Sequence, residues 1–256
     1  MSRGRAFSML RDSVHYRADA FRSGLAAAGF EVVDVLDDPR PGDVLLIWNR
    51  EGSRAARAMQ FEAAGARVVV AENGYLGKEW RGRKWFALAL GHHCGAGTWP
   101  DGGAERWDSW NVELEPWRKP GRNTLVLAQR GIGEIGIAAP HDWAQIIAPA
   151  VHGRIRSHPG ATPASVSLRD DLADIHRVVT WASGAALLAL LMGVPVYYGL
   201  SKWIGAPAGR PVSQFSSGEA LRDDAARLAM FRRLAWAQWT AEEIESGLAL
   251  SLLLRT

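Results

Sequence analysis

The sequence predicts an α/β protein built as two doubly wound halves facing a cleft, residues 1–122 and 123–256. Three observations predict it. Short apolar runs alternate with amphipathic stretches up to about residue 75, an irregular segment spans 91–119, and the alternation restarts at Thr124. Strands separated by helices imply a parallel sheet covered on both faces.

Taken in order, residues 6–10 start a strand, and 15–28 read as an amphipathic helix closed by Gly29, with Tyr16, Ala20 and Leu25 on one side. Residues 31–36 form a second strand. After the turn at 39–43, the run 43–48 (Asp-Val-Leu-Leu-Ile-Trp) has the continuous apolarity of a fully buried strand. A helix over 53–64 ends at Gly65, and 67–71 returns as a strand into the polar turn Glu72-Asn73-Gly74-Tyr75. The segment 91–119 holds His92-His93-Cys94-Gly95-Ala96-Gly97 and Trp99-Pro100-Asp101-Gly102-Gly103, the makings of a functional loop. Residues 116–122 read as the connection between halves. In the second half, strands are expected at 124–128, 153–157, 177–180 and 194–198. Helices are expected at 142–151, 183–192, 219–240 and 241–254, with 168–173 short and polar.

Composition narrows the classes. With 48% hydrophobic and 22% charged residues the chain is globular, neither disordered nor fibrous. A single cysteine, Cys94, excludes an internal disulfide and a Cys-rich zinc module. The longest apolar run, 185–198, is interrupted by Gly193 and Pro195 and is shorter than the roughly 18 residues of a membrane span. No signal-peptide core follows the N-terminus, so a soluble, cytoplasmic monomer is expected. The net charge is +3, and 26 of the 30 basic residues are arginine, whose forked contacts suit polyanions. Twelve tryptophans include Trp107, Trp110 and Trp117, a cluster able to stack on sugars or bases.

The strongest motif lies in the second half. Arg156-Ser157-His158-Pro159-Gly160 follows one strand, and Thr180-Trp181-Ala182-Ser183-Gly184 follows another and opens a helix. Ligands of open α/β sheets bind beyond the carboxyl ends of strands. Ser183 and Gly184 would there offer a hydroxyl and backbone N–H groups at a helix N-terminus, an anion site. His158 could give the same phosphate a charged hydrogen bond, and Arg156 and Pro159 complete that strand end. The loop Gln129-Arg130-Gly131-Ile132-Gly133-Glu134 follows the first strand of this half, its glycines allowing close approach to a diphosphate and Arg130 offsetting charge. It lacks the third glycine of a dinucleotide fingerprint.

The pairing of His158-Pro159 with the turn 180–183 and the strand at Gly193-Val194-Pro195-Val196 resembles the donor site of bacterial glycosyltransferases of GT-B architecture, capsule-type sialic-acid and Kdo transferases above all. The likeness covers residues 150–200; Ala182 stands where that family often carries a second Ser/Thr. It implies two Rossmann-like domains, donor-binding at 123–256 and acceptor-side at 1–122, and a nucleotide sugar as co-substrate with no other cofactor. No Asp-x-Asp occurs, so no metal is expected to hold the diphosphate, and His92 and His93 lack the partners of a zinc site. The general base of such a transferase is expected among His92, His93 and Asp101, with Glu72 a further carboxylate at a strand end.

Glu72-Asn73-Gly74-Tyr75, Gly91-His92-His93-Cys94-Gly95-Ala96-Gly97 and Trp99 to Gly103 also resemble a group of phage-encoded proteins thought to glycosylate hydroxymethylated bases in DNA. That resemblance implies UDP-glucose as donor, phage DNA as acceptor and the cytoplasm of an infected bacterium as location. Arg11, Arg17, Arg50 and Arg54 would then neutralise phosphates, and Asn73 and Tyr75 would meet the acceptor base. A transferase acting on a surface glycan with a CMP- or UDP-sugar, a non-catalytic nucleic-acid-binding protein on this scaffold and a sugar-nucleotide epimerase are the alternatives.

Overall fold

In the computed structural model the described residues are 3–161, 166–216 and 219–255. The chain opens with β1 (Arg5–Ser8), α1 (Ala18–Ala27), β2 (Glu31–Val33), β3 (Val44–Trp48), α2 (Gly52–Ala63) and β4 (Arg67–Asn73). It continues through β5 (Glu79–Trp80), β6 (Arg83–Leu90), α3 (Glu105–Asp108), β7 (Thr124–Leu127), α4 (Trp143–Ala150) and β8 (Gly153–Arg156). Then follow α5 (Leu168–Asp171), β9 (Arg177–Thr180), α6 (Gly184–Leu191), β10 (Val196–Tyr198) and β11 (Arg210–Pro211). The last elements are α7 (Asp224–Ala235), β12 (Gln238–Thr240), α8 (Ala241–Glu245) and α9 (Leu248–Leu253).

These elements form two compact units, Met1–Gly102 with Ala235–Thr256, and Gly103–Leu234. The division differs from the expected 1–122 and 123–256 at both ends, for physical reasons. Residues after 102 lie on the second unit: Glu115 N–H donates to Leu191 O at 3.0 Å and Arg118 N–H to Gly193 O at 2.9 Å. The segment 116–122 is therefore fastened to the end of α6. The C-terminal stretch returns to the first unit because β12 pairs antiparallel with β6, Gln238 opposite Ala87 and Thr240 opposite Trp85.

The first unit's sheet runs in the order β12-β6-β4-β3-β1-β2, with β5 hung on β6. β1 to β4 pair in parallel, whereas β6 is antiparallel to β4. The sheet is thus mixed, not wholly parallel as the alternation suggests. All five residues of β3 are buried, as a central strand covered on both faces requires. Leu45 and Ile47 pack with Phe61 of α2 and with Val68 and Val70 of β4 in one core cluster. Phe86 meets Phe21 of α1 edge-on, with ring centroids 5.2 Å apart.

The C-terminal stretch departs from the two expected helices. The buried segment 238–240, Gln-Trp-Thr, becomes a strand because it pairs with the edge of β6. The run 241–254 breaks into α8 and α9 at Gly247, whose φ of 81° is left-handed. Thr240 and Glu243 form a capping box that starts α8.

The second unit's sheet has the order β11-β10-β9-β7-β8, all parallel. In chain order this is a doubly wound pattern in which β7 lies between β8 and β9, so the connections leave its two sides in opposite directions. A topological switch point therefore sits beyond the carboxyl ends of β7 and β9, where such sheets bind ligands. α4 covers one face through Ala144 and Ala148, packed with Val126, Val179 and Tyr197. Trp107 is buried and stacked on Phe231 at 4.8 Å, with Trp110 edge-on to it. Trp117 lies 4.0 Å beneath the Arg227 guanidinium. Trp107 is therefore core, whereas Trp110 and Trp117 are partly exposed.

Candidate functional site

At the switch point of the second unit the strand ends are tied to each other by side chains. Gln129, just past β7, accepts a hydrogen bond through Oε1 from Ala182 N–H at 2.7 Å. Thr180, the fully buried last residue of β9, accepts one through Oγ1 from Ser183 N–H at 2.9 Å. Ser183 is the N-cap of α6, its Oγ accepting from Ala185 N–H at 3.2 Å. Among the described residues the Gly184 N–H has no acceptor. It and the Ser183 hydroxyl proton are what this turn can offer an anion, beside the helix dipole.

His158 follows β8. Its Nδ1 accepts from Gly160 N–H at 2.9 Å, which assigns the ring proton to Nε2. Partial burial and then the charge of Arg130 push its pKa below the ordinary imidazole range. The expected charged donor is therefore a neutral imidazole donating from Nε2, and the positive charge at this corner belongs to Arg130. A side chain at Gly160 would lie 3.1 Å from His158 Nδ1 and 3.5 Å from Arg130 Cζ, so the two residues share one spot. Arg130 is exposed and pairs with no carboxylate among the described residues. Gly131 and Gly133 carry left-handed φ of 67° and 124°, so this loop needs its glycines. Beside it, a recess of about 380 Å³ opens between Gln129-Arg130-Gly131 and the start of α4 at Trp143.

Two members of the expected donor set behave otherwise. Arg156 is only 12% exposed and pairs with Asp171 of α5, besides donating to Val166 O at 3.1 Å. The guanidinium fastens α5 to the end of β8 and is not offered to a ligand. Pro159 is exposed and shapes the turn that brings Gly160 under His158.

In the first unit the residues around β4 form a different kind of cluster. Glu72, partly buried at the end of β4, accepts from Cys94 N–H at 2.7 Å and is hydrogen-bonded to Tyr75. The Tyr75 hydroxyl accepts from Gly95 N–H at 3.0 Å, and Tyr75 is 6% exposed. His93, 2% exposed, accepts through Nδ1 from Arg50 N–H at 3.2 Å. Together these bonds hold the loop after β6, where Cys94 has a left-handed φ of 58°. Tyr75 is thus a strut and not a surface for a base, and His93 is a positioning residue shut off from solvent. His92 is partly buried in the same loop, while Asp101 and Asn73 are exposed. Glu72 is the residue the loop is built around.

Burial raises the Glu72 pKa, against the opposing influence of His93 and its hydrogen bonds. A carboxyl whose folded pKa exceeds its unfolded one binds more protons when folded, so its contribution is largest at low pH and is lost as pH rises through the folded value. Glu72→Gln, which keeps an acceptor for Cys94 N–H, should therefore gain on the wild type as pH rises. Paired melting curves from pH 4 to pH 8 check this; a constant difference would contradict it.

The arginines expected to meet DNA are mostly committed. Arg50 is 5% exposed at its side chain and forms a two-pronged pair with Glu62, at 2.6 and 2.8 Å, while donating to Gly91 O at 2.9 Å. Arg54 pairs with Glu51 at 2.5 Å, and Arg17 with Asp19 at 3.1 Å. Arg11 is exposed. Arg50→Met should destabilise the protein by about 2 kcal/mol, because Gly91 O loses its donor while Glu62 still reaches water. Urea denaturation reads this, and unchanged stability would show the pair to be incidental.

No protein-family model matches the chain, and no curated protein matches its sequence. Among solved structures, the β-Kdo 2,7-transferase of KpsC from Thermosulfurimonas dismutans superposes with a TM-score of 0.58 at 12% identity, over 99% of this chain and 100% of that one. The β-Kdo 2,4-transferase of the same protein gives 0.53 at 14% identity over 91% of each. The fold is the GT-B-like α/β fold of these transferases. The likeness falls on the capsule-type side of the two resemblances. Among the described residues no group of three or more His, Cys, Asp or Glu side chains could hold a metal ion, and no helix is long and apolar enough to cross a membrane.

Proposed function

We propose that this protein is a glycosyltransferase that binds a nucleotide sugar against its second unit. The observation that carries this reading is the convergence of Arg130, His158 Nε2–H and the Gly184 N–H on the carboxyl ends of three neighbouring parallel strands at a switch point. A positive charge, a neutral donor and a helix N-terminus together suit a diphosphate or phosphodiester. The transferred group is glucose from UDP-glucose, as the phage-protein resemblance implies, or Kdo, the sugar named for both structural relatives.

For the acceptor, hydroxymethylated phage DNA is the first candidate from sequence. One observation favours a glycan instead: Arg50, Arg54 and Arg17 are held in ion pairs and Tyr75 is buried, so few groups remain for phosphates or a flipped base. Incubation with UDP-glucose or CMP-Kdo, with hydroxymethylcytosine DNA or an acidic oligosaccharide, tests all parts at once by nucleotide release and product mass. No release of nucleotide from any donor would leave only a binding protein on a transferase scaffold.

A further inference from the structure

We propose that the second unit carries another binding site, at the amino-terminal end of its sheet, for a small phosphorylated polyol. A recess of about 310 Å³ opens there, its walls including Gly121, Arg177, Tyr197, Glu219 and Arg222. That volume lies at the lower end for small-molecule sites and fits one sugar-sized ligand. The place is separate from the donor site: Arg177 begins β9, whereas Thr180 ends it and the Ser183 turn lies beyond.

Among the described residues Arg177 and Arg222 pair with no carboxylate. Arg177 donates through Nη2 to Arg122 O at 3.2 Å, and its guanidinium lies 4.6 Å from the centre of the Phe215 ring. Phe215 in turn meets Tyr197 edge-on at 4.8 Å. The guanidinium is thus oriented before any ligand arrives, which lowers the ordering cost of binding. Among the described residues Arg222 donates only through Nε, to Arg118 O at 3.3 Å, and its two terminal nitrogens have no acceptor.

Arg210 adds a third positive charge nearby, since β11 pairs it with Tyr197 of β10. Among the described residues the Nε atoms of Arg177 and Arg210 are buried and have no hydrogen-bond partner. Two arginines lining the recess and a third nearby, against one carboxylate, favour a dianionic phosphate over a neutral sugar. Glu219 repels the phosphate but accepts hydroxyl hydrogens, which calls for a polyol body.

The site does not depend on the transferase reading. Calorimetry with glucose 6-phosphate, glucose and inorganic phosphate tests it on the full chain. Wild type and Ser183→Ala should bind glucose 6-phosphate alike, tighter than inorganic phosphate, and neither should bind glucose. Arg177→Gln and Arg222→Gln should each weaken binding about tenfold, the loss of a charged hydrogen bond. Arg177 also packs on Phe215; should that variant not fold, Arg222→Gln, held by one backbone bond, decides. Absence of saturable binding to wild type, unchanged affinity in Arg222→Gln, or loss in Ser183→Ala instead would overturn the proposal. Equal affinity for inorganic phosphate and glucose 6-phosphate would overturn its polyol part.

Discussion

Gly24→Ala should destabilise the first unit by about 3 kcal/mol, although the same change in an isolated helix would stabilise it by up to about 1 kcal/mol. Gly24 sits inside α1, and α8 crosses it so closely that an added Cβ would lie 2.0 Å from Ile244 O and 2.9 Å from its carbonyl carbon. Both near atoms are backbone, so no side-chain rotation can relieve the clash. α1 and α8 would have to separate, exposing Ile244 and Leu250, both fully buried. Ser23→Ala, one residue earlier and exposed, is the control and should change stability little. Urea denaturation of the two variants measures the sign. A more stable Gly24→Ala would mean that the C-terminal helices do not pack on the first unit, and would undo the division into units described above.

That contact also marks the limit of what the sequence makes legible. The elements whose partners follow closely in the chain are readable from periodicity: the fully apolar β3, α2 ending before Gly65, and α6 opened by Ser183. Each rests on a local rule of burial or capping. β12 is not readable, because Gln238-Trp239-Thr240 continues a helical run and becomes a strand only through a partner some 150 residues earlier. The site divides the same way. Ser183 shows itself as a capping residue before an apolar run, and His158 as a polar residue after a strand. The commitment of Arg50 to Glu62 and of Arg156 to Asp171 is invisible, since arginine at a strand end reads alike whether it meets a phosphate or a neighbouring carboxylate. Glu72 owes its importance to Cys94 and Tyr75, which only the folded loop brings to it.

Replacing Arg130 and His158 together by alanine should weaken nucleotide-sugar binding at least about a hundredfold, and each alone by about tenfold or more. The two groups meet at Gly160 and differ in kind: Arg130 brings the charge, and His158 a neutral Nε2–H oriented by the Gly160 N–H bond to Nδ1. Because Arg130 depresses the His158 pKa, removing Arg130 should let His158 protonate at a higher pH, which breaks its bond from Gly160. The Arg130→Ala variant should therefore regain part of the lost affinity as pH falls through the ordinary imidazole range, because an imidazolium Nε2–H binds a phosphate more strongly than a neutral one, whereas wild type should change less. Arg156→Ala separates this site from general damage to the strand end. Its guanidinium is turned to Asp171, so the variant should lose stability while keeping donor affinity once folded. Calorimetric titration with the donor that the activity panel identifies, at two pH values, reads all four proteins. Donor affinity unchanged in the double variant, or lost equally in Arg156→Ala, would remove Arg130 and His158 from the donor site.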